Sequence, residues 1–282
     1  MKNLVPVFEK ERKQFHNNLL SHVLSIDSKG IPSIADCDNS ASKRIATCIL
    51  QKIGKCVVGN KKSPQASGVK FEVACADYLK NTFLKLSNLR PGDWTIGRTT
   101  EIAECDQYEH LSSIVDFCAA NPGLKATLGI DYIIRPDIII SRVPVDDAVI
   151  NKNSLLVDSN IARMTPIRRS NTASATLHAS VSCKLTLRSD RAQNARSEAL
   201  NLIKNRKGRV PHIVIVTAEP LPSRLASLAL GTGEIDCVYH FALPELVSAV
   251  SDESEDSKEM LNIMITGKRL RDIADLPLDL AL

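Results

Sequence analysis

The feature that most restricts the fold is a strand–helix–strand pattern in the second half of the chain. An apolar, β-branched run, TLHASVSCKLTL (176–187), precedes DRAQNARSEALNLIKN (190–205), in which apolar residues recur at helical spacing. The next run, PHIVIVTA (211–218), is almost entirely apolar, which is typical of a strand buried on both faces. Strand, helix and apolar strand make a βαβ unit. The pattern predicts an α/β fold with a central mixed β-sheet flanked by helices.

In the rest of the sequence, the residue patterns predict helices in the first part and strands after them. Pro91–Gly92 and Pro122–Gly123 interrupt the helical patterns of the first part. Two further β-branched runs, DYIIRPDIIIS (131–141) and IDCVYHF (235–241), predict strands. The acidic run VSDESEDSKE (250–259) predicts a solvated linker. Amphipathic helices are expected over residues 7–26, 41–54, 69–86 and 108–121.

No internal repeat is visible, and no linker clearly divides the chain, so we predict a single domain over residues 1–282. Its expected parts are a helical N-terminal part of about 1–124, a catalytic sheet–helix core of about 125–245 and a C-terminal helical segment, 246–282.

Composition restricts the class of protein without deciding its function. The 282 residues are 44% hydrophobic, which is enough for a sizeable core, and the net charge of +4 permits an anionic partner without requiring one. Eight scattered cysteines with no CxxC pair indicate reduced core thiols rather than disulfides or zinc ligands. No apolar stretch is long enough to span a membrane, so we expect a cytoplasmic protein with no membrane partner.

Two residues on predicted strands suggest nuclease chemistry. Asp137 lies in the run 131–141, and Lys184 follows the apolar part of the run 176–187. A carboxylate on a rigid backbone suits Mg²⁺, which takes hard oxygen ligands. In many metal-dependent nucleases a strand aspartate is paired with a strand lysine, which positions or deprotonates the attacking water. The alternative is a solvated lysine and an ordinary Pro-Asp dipeptide.

One carboxylate of that scheme is missing, and Glu198 is the candidate to supply it. The nuclease pattern places an acid two residues before the lysine, but this position is Ser182. Glu198 follows on the predicted helix, between Ala195 and Leu202 of the apolar stripe. Burying an unpaired acid costs several kcal/mol, so a metal or a cationic partner is expected beside it. A salt bridge with a nearby arginine is the alternative.

The predicted start of the same helix carries three charged residues suited to reading bases, Arg188, Asp190 and Arg191. Arginine can donate two hydrogen bonds to guanine O6 and N7, and aspartate can accept one from cytosine N4, so the triplet can read G·C pairs in a major groove. The alternative is a solvated helix start, with Ser189 or Asp190 as an ordinary N-cap.

Longer stretches of the sequence carry a family resemblance. Residues 182–209 and 211–246, RPGDW (90–94), RPDIII (135–140) and LPLDLAL (276–282) closely resemble the type II restriction endonucleases that recognise GCCGGC. These enzymes belong to the tetrameric, CCGG-core branch of the PD-(D/E)XK nucleases. The likeness covers nearly the whole chain, and the spacing of Lys184 and Glu198 is more specific than the general nuclease pattern.

The resemblance implies roles for the catalytic residues and a restriction-endonuclease-like fold. Asp137 matches a metal-binding aspartate, Lys184 the catalytic lysine and Glu198 the displaced acid. The backbone carbonyl of Cys183 matches a metal ligand. Glu72 matches a further acid near the metals, with two Mg²⁺ ions per active site possible. Glu72 is expected one turn into its helix, where a favourable charge at the helix N-terminus is the alternative.

The resemblance also implies contacts to DNA. Arg188, Asp190 and Arg191 match residues that contact the CCGG core, and Gln65 matches a minor-groove contact. The outer base pair is assigned to Arg224 and Asp36; beside them, Asp38 stands where a serine is expected.

Together with these residues, the resemblance implies Mg²⁺-dependent hydrolysis of both strands of double-stranded DNA at GCCGGC, giving 5′-phosphate ends with a CCGG overhang. A homotetramer built as a dimer of dimers and a cognate DNA methyltransferase are the partners that this family implies. Two alternatives remain: a repair or recombination nuclease of the same fold, and a DNA-binding protein that no longer cuts.

Overall fold

A computed structural model of the protein describes residues 5–54, 64–98, 101–121, 123, 135–231 and 233–282. The chain divides into two compact units. The first comprises Met1–Lys85, Val181–Arg196 and Ile213–Leu282, and the second comprises Leu86–Ser180 and Ser197–His212.

The described strands form one six-stranded mixed sheet, in which neighbours in sequence are also neighbours in space, in the order β1-β2-β3-β4-β5-β6. β1 pairs with β2 in antiparallel fashion, with Trp94 opposite Arg142. β4, β5 and β6 run parallel to one another. The strands are β1 Trp94–Arg98, β2 Ile138–Arg142, β3 Thr176–Lys184, β4 His212–Thr217, β5 Cys237–His240 and β6 Leu270–Asp272. The predicted α/β fold with a central mixed sheet is confirmed.

The helices of the described chain lie before, between and after the strands in sequence. They are α1 Val7–His22, α2 Ser40–Ile53, α3 Pro64–Thr82, α4 His110–Ala120, α5 Asp147–Ile150, α6 Ser189–Asn205, α7 Pro222–Ala229, α8 Leu243–Val250, α9 Glu255–Thr266 and α10 Leu276–Asp279. In the first unit α1 packs on α3, α2 on α8 and α9 on α7. Three short 3₁₀ turns lie at Phe83–Lys85, Ile102–Glu104 and Asp106–Tyr108.

All four predicted strands are present but shorter than predicted, since residues 135–137 and 185–187 lie outside β2 and β3, and two further strands were not predicted. β1 follows the break predicted at Pro91–Gly92, in a stretch for which no strand was predicted, and β6 lies in the part expected to be helical. β1 is only partly buried, and β6 has three residues, so neither carries the run of buried β-branched residues that marks the inner strands. Residues 131–134 of the strand predicted at 131–141 lie outside the described residues.

The acidic segment predicted as a linker is instead a turn followed by the first helical turn of α9. Ser254 is the N-cap of this helix, and its hydroxyl accepts a hydrogen bond from the backbone N–H of Ser257. Glu255 and Asp256 lie in the first turn, where the helix dipole favours negative charge. Glu253 makes a two-point ion pair with Arg44 of α2. The linker prediction was therefore wrong.

Six cysteines of the described chain are free thiols, and four of them are buried: Cys75, Cys105, Cys183 and Cys237. Within the described residues, no helix combines the length and apolar character needed to cross a membrane.

A partly buried ionic cluster joins distant elements of the first unit. Arg12 of α1 donates to Asp272 of β6 at 2.8 Å and to Glu245 of α8 at 2.6 Å. Although burial by itself lowers the pKa of Arg12, its hydrogen bonds to these two acids raise that pKa above its ordinary value. Removing one partner would leave an uncompensated buried charge, which is strongly destabilising.

His240, at the end of β5, gives the fold a pH dependence. The side chain is fully buried, and its Nδ1 accepts a hydrogen bond from the backbone N–H of Ala242 at 3.2 Å. Burial lowers the pKa of His240 to about 4. As the pH falls from the ordinary histidine pKa of 6.5 to about 4, this histidine takes up a proton in the unfolded chain but not in the native state. This histidine therefore removes up to about 3 kcal/mol of stability as pH falls through that range.

We expect His240→Asn to reduce this acid sensitivity, because asparagine keeps an acceptor for Ala242 but does not titrate. Urea unfolding at about pH 7 and about pH 5 measures it: wild type should lose about 2 kcal/mol more than the variant over that range. The exposed His22 provides a control, since His22→Asn should leave the wild-type difference unchanged. An equal loss in wild type and His240→Asn would contradict the burial argument.

Candidate active site and DNA-reading segment

Asp137 lies immediately before a buried strand and not within it, where the sequence pattern predicts it. It is half-buried, follows the buried Pro136 and directly precedes β2, whose residues Ile138 and Ile140 are fully buried. The antiparallel register places Ile138 opposite Arg98, the last residue of β1. The backbone at Asp137 is therefore fixed by a buried strand, as a metal-binding carboxylate requires.

Lys184 is the last residue of β3, the strand between β2 and β4 in the sheet. It is half-buried, as is Ser182, whereas the side chain of Cys183 between them is 5% exposed. The alternation is that of a strand whose neighbouring residues face opposite sides. The polar side chains of Ser182 and Lys184 thus share the face opposite to the buried thiol.

Glu198 lies on α6 beside the buried apolar stripe of that helix, and its side chain is half-buried. Ala195, Ala199 and Leu202 each have 3% or less of their surface exposed. The predicted stripe is confirmed, and Glu198 lies along it rather than on the exposed side of the helix.

Glu72 lies deeper in its helix than predicted. α3 begins at Pro64 rather than near Val69, so Glu72 is more than two turns from the helix start. The helix dipole acts within about the first turn, so a favourable N-terminal charge no longer explains this glutamate. Glu72 is half-buried, next to the fully buried Phe71. Gln65 is exposed in the first turn of the same helix.

The N-cap of α6 is not the residue that the sequence suggested. Arg188 is the N-cap by its backbone, because its carbonyl accepts from the N–H of Ala192 at 2.9 Å. Ser189 and Asp190 lie inside the first turn, so the expectation that one of them is the N-cap was wrong. Arg188 and Asp190 are exposed, while Arg191 is half-buried and donates to Thr186 Oγ1 at 3.1 Å.

The two residues assigned to an outer base pair lie in contact. Arg224, in the first turn of α7, is hydrogen-bonded to the carboxylate of Asp36, which precedes α2. The backbone N–H of Asp38 and the Arg224 guanidinium lower the pKa of Asp36, and the charge of Arg188 contributes to the same shift. The structure therefore brings Arg224 and Asp36 together, within electrostatic reach of Arg188.

Glu219 is a residue of this region that the sequence argument missed. It lies two residues after the end of β4 and is fully buried, with Arg224 Nη1 3.9 Å from its carboxylate. Burial raises the pKa of Glu219 to about 7, although the backbone N–H groups of Leu187 and Leu221 act in the opposite direction. A signal existed, since a charged residue just after a strand buried on both faces is unusual.

Comparison with known proteins identifies the family. A family model described as NgoMIV restriction enzyme matches residues 15–282 of the chain. The chain belongs to the NgoMIV restriction enzyme family. A relative from Neisseria gonorrhoeae, described as type II restriction enzyme NgoMIV, is 50% identical over 283 residues, which cover 98% of this chain and 99% of that protein.

Two solved restriction endonucleases are more distant from this NgoMIV-family chain. PspGI, solved with substrate DNA, is 13% identical and has a TM-score of 0.38, with 98% of this chain and 92% of that chain covered. The type IIF enzyme Bse634I, solved with cognate DNA, is 17% identical and has a TM-score of 0.36, with 74% and 79% covered.

Membership of the NgoMIV family makes the chain a type II restriction enzyme, that is, a site-specific deoxyribonuclease. Such enzymes bind double-stranded DNA, and restriction endonucleases are generally metal-dependent. Asp137, Glu198, Glu72 and the carbonyl of Cys183 offer the oxygen donors that a hard cation prefers, but in the described part of the chain the three carboxylates do not all lie within 4.8 Å of one another.

Proposed function

We propose that this restriction enzyme cleaves both strands of GCCGGC, leaving 5′-phosphate ends with a CCGG overhang. One observation carries the proposal: Lys184 ends β3, and Arg188, the first of the base-reading residues, follows after a connection of three residues. Residues for cutting and residues for reading therefore share one short strand-to-helix segment. The specificity itself is inferred from the resemblance to enzymes that recognise GCCGGC.

In the proposed active centre, Lys184 positions the attacking water and accepts or orients its proton. Its place at the end of an inner strand favours this role, because the last residue of a strand projects from a rigid backbone. The side chain is half-buried, and a lysine beside the phosphate would help to stabilise the charge that develops there.

The carboxylates of Asp137, Glu198 and Glu72 and the carbonyl of Cys183 are the proposed ligands of one or two Mg²⁺ ions. When bound, Mg²⁺ supplies Lewis-acid chemistry: it neutralises charge on the phosphate and makes a water more acidic. Glu198 stands in for the acid that Ser182 cannot provide. The chain thereby supplies the carboxylates of the nuclease pattern from a strand and a helix instead of from one strand.

Base reading is assigned to the start of α6. Arg188 and Arg191 are proposed to donate to guanines of the CCGG core, and Asp190 to accept from a cytosine. Gln65, exposed at the start of α3, is the proposed minor-groove contact. Arg224 and Asp36 are the proposed readers of the outer pair. Their mutual ion pair fixes the guanidinium, so that it needs less ordering when DNA binds.

We expect Arg191→Ala to weaken binding to GCCGGC by about 1–3 kcal/mol per base contact and binding to unrelated DNA much less. The measurement is a salt-matched comparison of affinities for the two DNAs. Arg209→Ala, which changes an exposed arginine of the second unit, is the control and should preserve the ratio of affinities. A phosphate contact weakens all sequences about equally, so equal losses on both DNAs would exclude base reading by Arg191.

We infer that the enzyme assembles as a tetramer, a dimer of dimers. A palindromic site calls for a two-fold dimer, and the resemblance implies that two dimers pair. An exposed apolar loop supports a further interface with another copy of the chain. Over residues 155–164, Leu155 is 81% and Met164 93% exposed, together with Leu156 and Ile161. A monomer rarely exposes so many large apolar side chains in one short segment.

This loop is held in a defined conformation, as an interface requires. Arg168 is almost fully buried and makes a two-point ion pair with Asp147, at 2.6 and 2.8 Å. The same guanidinium donates to the backbone carbonyl of Asp158 at 2.8 Å and to that of Ile161. The apolar side chains therefore project from a loop that is fixed from within.

We expect light scattering at micromolar concentration to show four chains of 30.9 kDa. The double variant Leu155→Asp, Met164→Asp should reduce the assembly to dimers, because charges in an apolar interface are costly to desolvate. Ile263→Asp changes an exposed apolar residue of α9 and should leave the tetramer intact. A wild-type monomer or dimer, with and without DNA, would contradict the assembly.

The function is tested with matched duplexes that differ by one base pair in the core or in the outer pair. We expect Mg²⁺-dependent cleavage of the GCCGGC duplex only, and no cleavage with a chelator. Cleavage of all duplexes at similar rates would indicate a repair or recombination nuclease; selective binding without cleavage would indicate a non-cutting DNA-binding protein. The enzyme is expected to act in the cytoplasm beside a methyltransferase that protects the same sequence.

A further inference from the structure

Glu219 holds two parts of the first unit together through its carboxylate. One oxygen, Oε2, accepts from the backbone N–H of Leu187 at 2.8 Å, and the other, Oε1, accepts from the N–H of Leu221 at 3.2 Å. Its own N–H donates to Thr217 Oγ1 at 3.2 Å. Both carboxylate oxygens and the backbone of Glu219 are thus engaged within a fully buried site.

The two N–H groups belong to the two segments that carry the proposed base readers. Leu187 is the residue before Arg188, and Leu221 is the N-cap of α7, which carries Arg224 in its first turn. A second hydrogen bond runs from the N–H of Ala218, just after β4, to the carbonyl of Leu185, just after β3, at 3.2 Å. The segment between Lys184 and Arg188 is therefore attached to the end of β4 at two points.

We propose that Glu219 is a positioning residue for sequence discrimination, which sets the core-reading segment at Arg188 in register with the outer-pair-reading segment at Arg224. The inference rests on the proposed function of these arginines. It assigns Glu219 no contact with DNA and no part in phosphate hydrolysis.

The choice of an acid at this position supports a role beyond folding. A buried carboxylate is costly, and an apolar residue is usually a cheaper way to fill the space. Two N–H groups that approach from different segments need two acceptor oxygens, which a carboxylate has and a carboxamide does not. Arg224, 3.9 Å away, adds an attraction that fixes the carboxylate relative to the reader itself.

The test compares Glu219→Gln with wild type on two DNAs, GCCGGC and ACCGGT, which keeps the core and changes the outer pair. The ratio of the two cleavage rates should fall about tenfold or more in the variant, while metal-dependent cleavage persists. Glu245→Gln is the matched control, because it removes a half-buried, arginine-paired carboxylate of the same unit that touches neither reading segment. It should lose stability but keep the wild-type ratio.

A purely structural role would lower stability and leave this ratio unchanged. Glu219→Asp provides a second variant, since it keeps both oxygens but is too short to reach both N–H groups, and it should lower the ratio in the same way. A wild-type ratio in a folded variant at this position overturns the proposal. Failure of wild type itself to prefer GCCGGC would instead refute the proposed function, so the two failures are distinguishable.

If neither variant folds, the pH dependence of the rate ratio in the wild-type enzyme tests the proposal. With the pKa of Glu219 near 7, its carboxylate becomes protonated between about pH 8.5 and 6 and loses acceptor strength. Two neighbouring titratable groups keep their protonation state in this range, because burial lowers the pKa of His240 to about 4 and the pKa of Asp36 is lowered. The rate ratio should therefore fall on acidification, and a constant ratio would overturn the proposal.

Discussion

Replacing Lys184 with alanine is expected to remove detectable DNA cleavage, a loss of at least about 10²–10⁴-fold, while GCCGGC is still bound selectively. In the proposed centre Lys184 acts on the water and the phosphate, whereas the proposed base contacts come from α6. Asp137→Ala should behave in the same way, because its proposed role is also at the phosphate. The measurement pairs single-turnover cleavage with gel-shift affinity on the same duplex.

Lys204→Ala is the control for this experiment, since it removes an exposed lysine from the far end of α6. It should cleave at the wild-type rate. Near-wild-type cleavage by Lys184→Ala would mean that the proposed centre is wrong. Loss of selective binding together with cleavage would mean that Lys184 supports the reading segment rather than the chemistry.

Glu198→Gln is expected to slow cleavage by orders of magnitude and to weaken Mg²⁺ binding. The substitution keeps the size of the side chain and its helix propensity, so the fold should be retained. A neutral amide is a much poorer partner for a hard divalent cation than a carboxylate. Titration calorimetry with the metal alone gives the affinity, and cleavage at rising Mg²⁺ or with Mn²⁺ should show partial recovery.

Ser182→Ala is the matched comparison, because Ser182 occupies the position where the nuclease pattern has an acid. Its hydroxyl has no essential role in the proposed centre, so both metal affinity and cleavage should change little. An inactive serine variant beside an active glutamine variant would exclude Glu198 as the displaced acid. The same pair of variants therefore tests where the missing carboxylate comes from.

The inner part of the fold could be predicted because its signals are local. β3, α6 and β4 each carry a strong pattern within a short run of residues: alternation, a helical stripe and a continuous apolar strand. β6 has no such pattern, since its three residues become a strand only by pairing with β5, which lies about thirty residues away in sequence. The start of α3 was placed too late because Ser67 and Gly68 resemble a break, although a helix tolerates them at a modest cost.

The candidate site likewise contains residues that local sequence signals could predict and contacts that they could not. Chemical type and spacing were enough to select Lys184, Asp137 and the charged residues that begin α6. The contact of Arg224 with Asp36 follows from long-range folding, and spacing alone does not indicate it. Glu219 was missed for the same reason, because the N–H of Leu187, one of the two that its carboxylate accepts from, lies 32 residues away in sequence.

The central claim is that this enzyme reads GCCGGC and cuts it, and digestion of a fully sequenced plasmid with Mg²⁺, followed by sequencing of every end, tests it most directly. The account predicts that all ends fall within GCCGGC, carry a 5′-phosphate and a CCGG overhang, and disappear when a chelator is added. Ends at any other sequence, or ends scattered without a common sequence, would contradict the account.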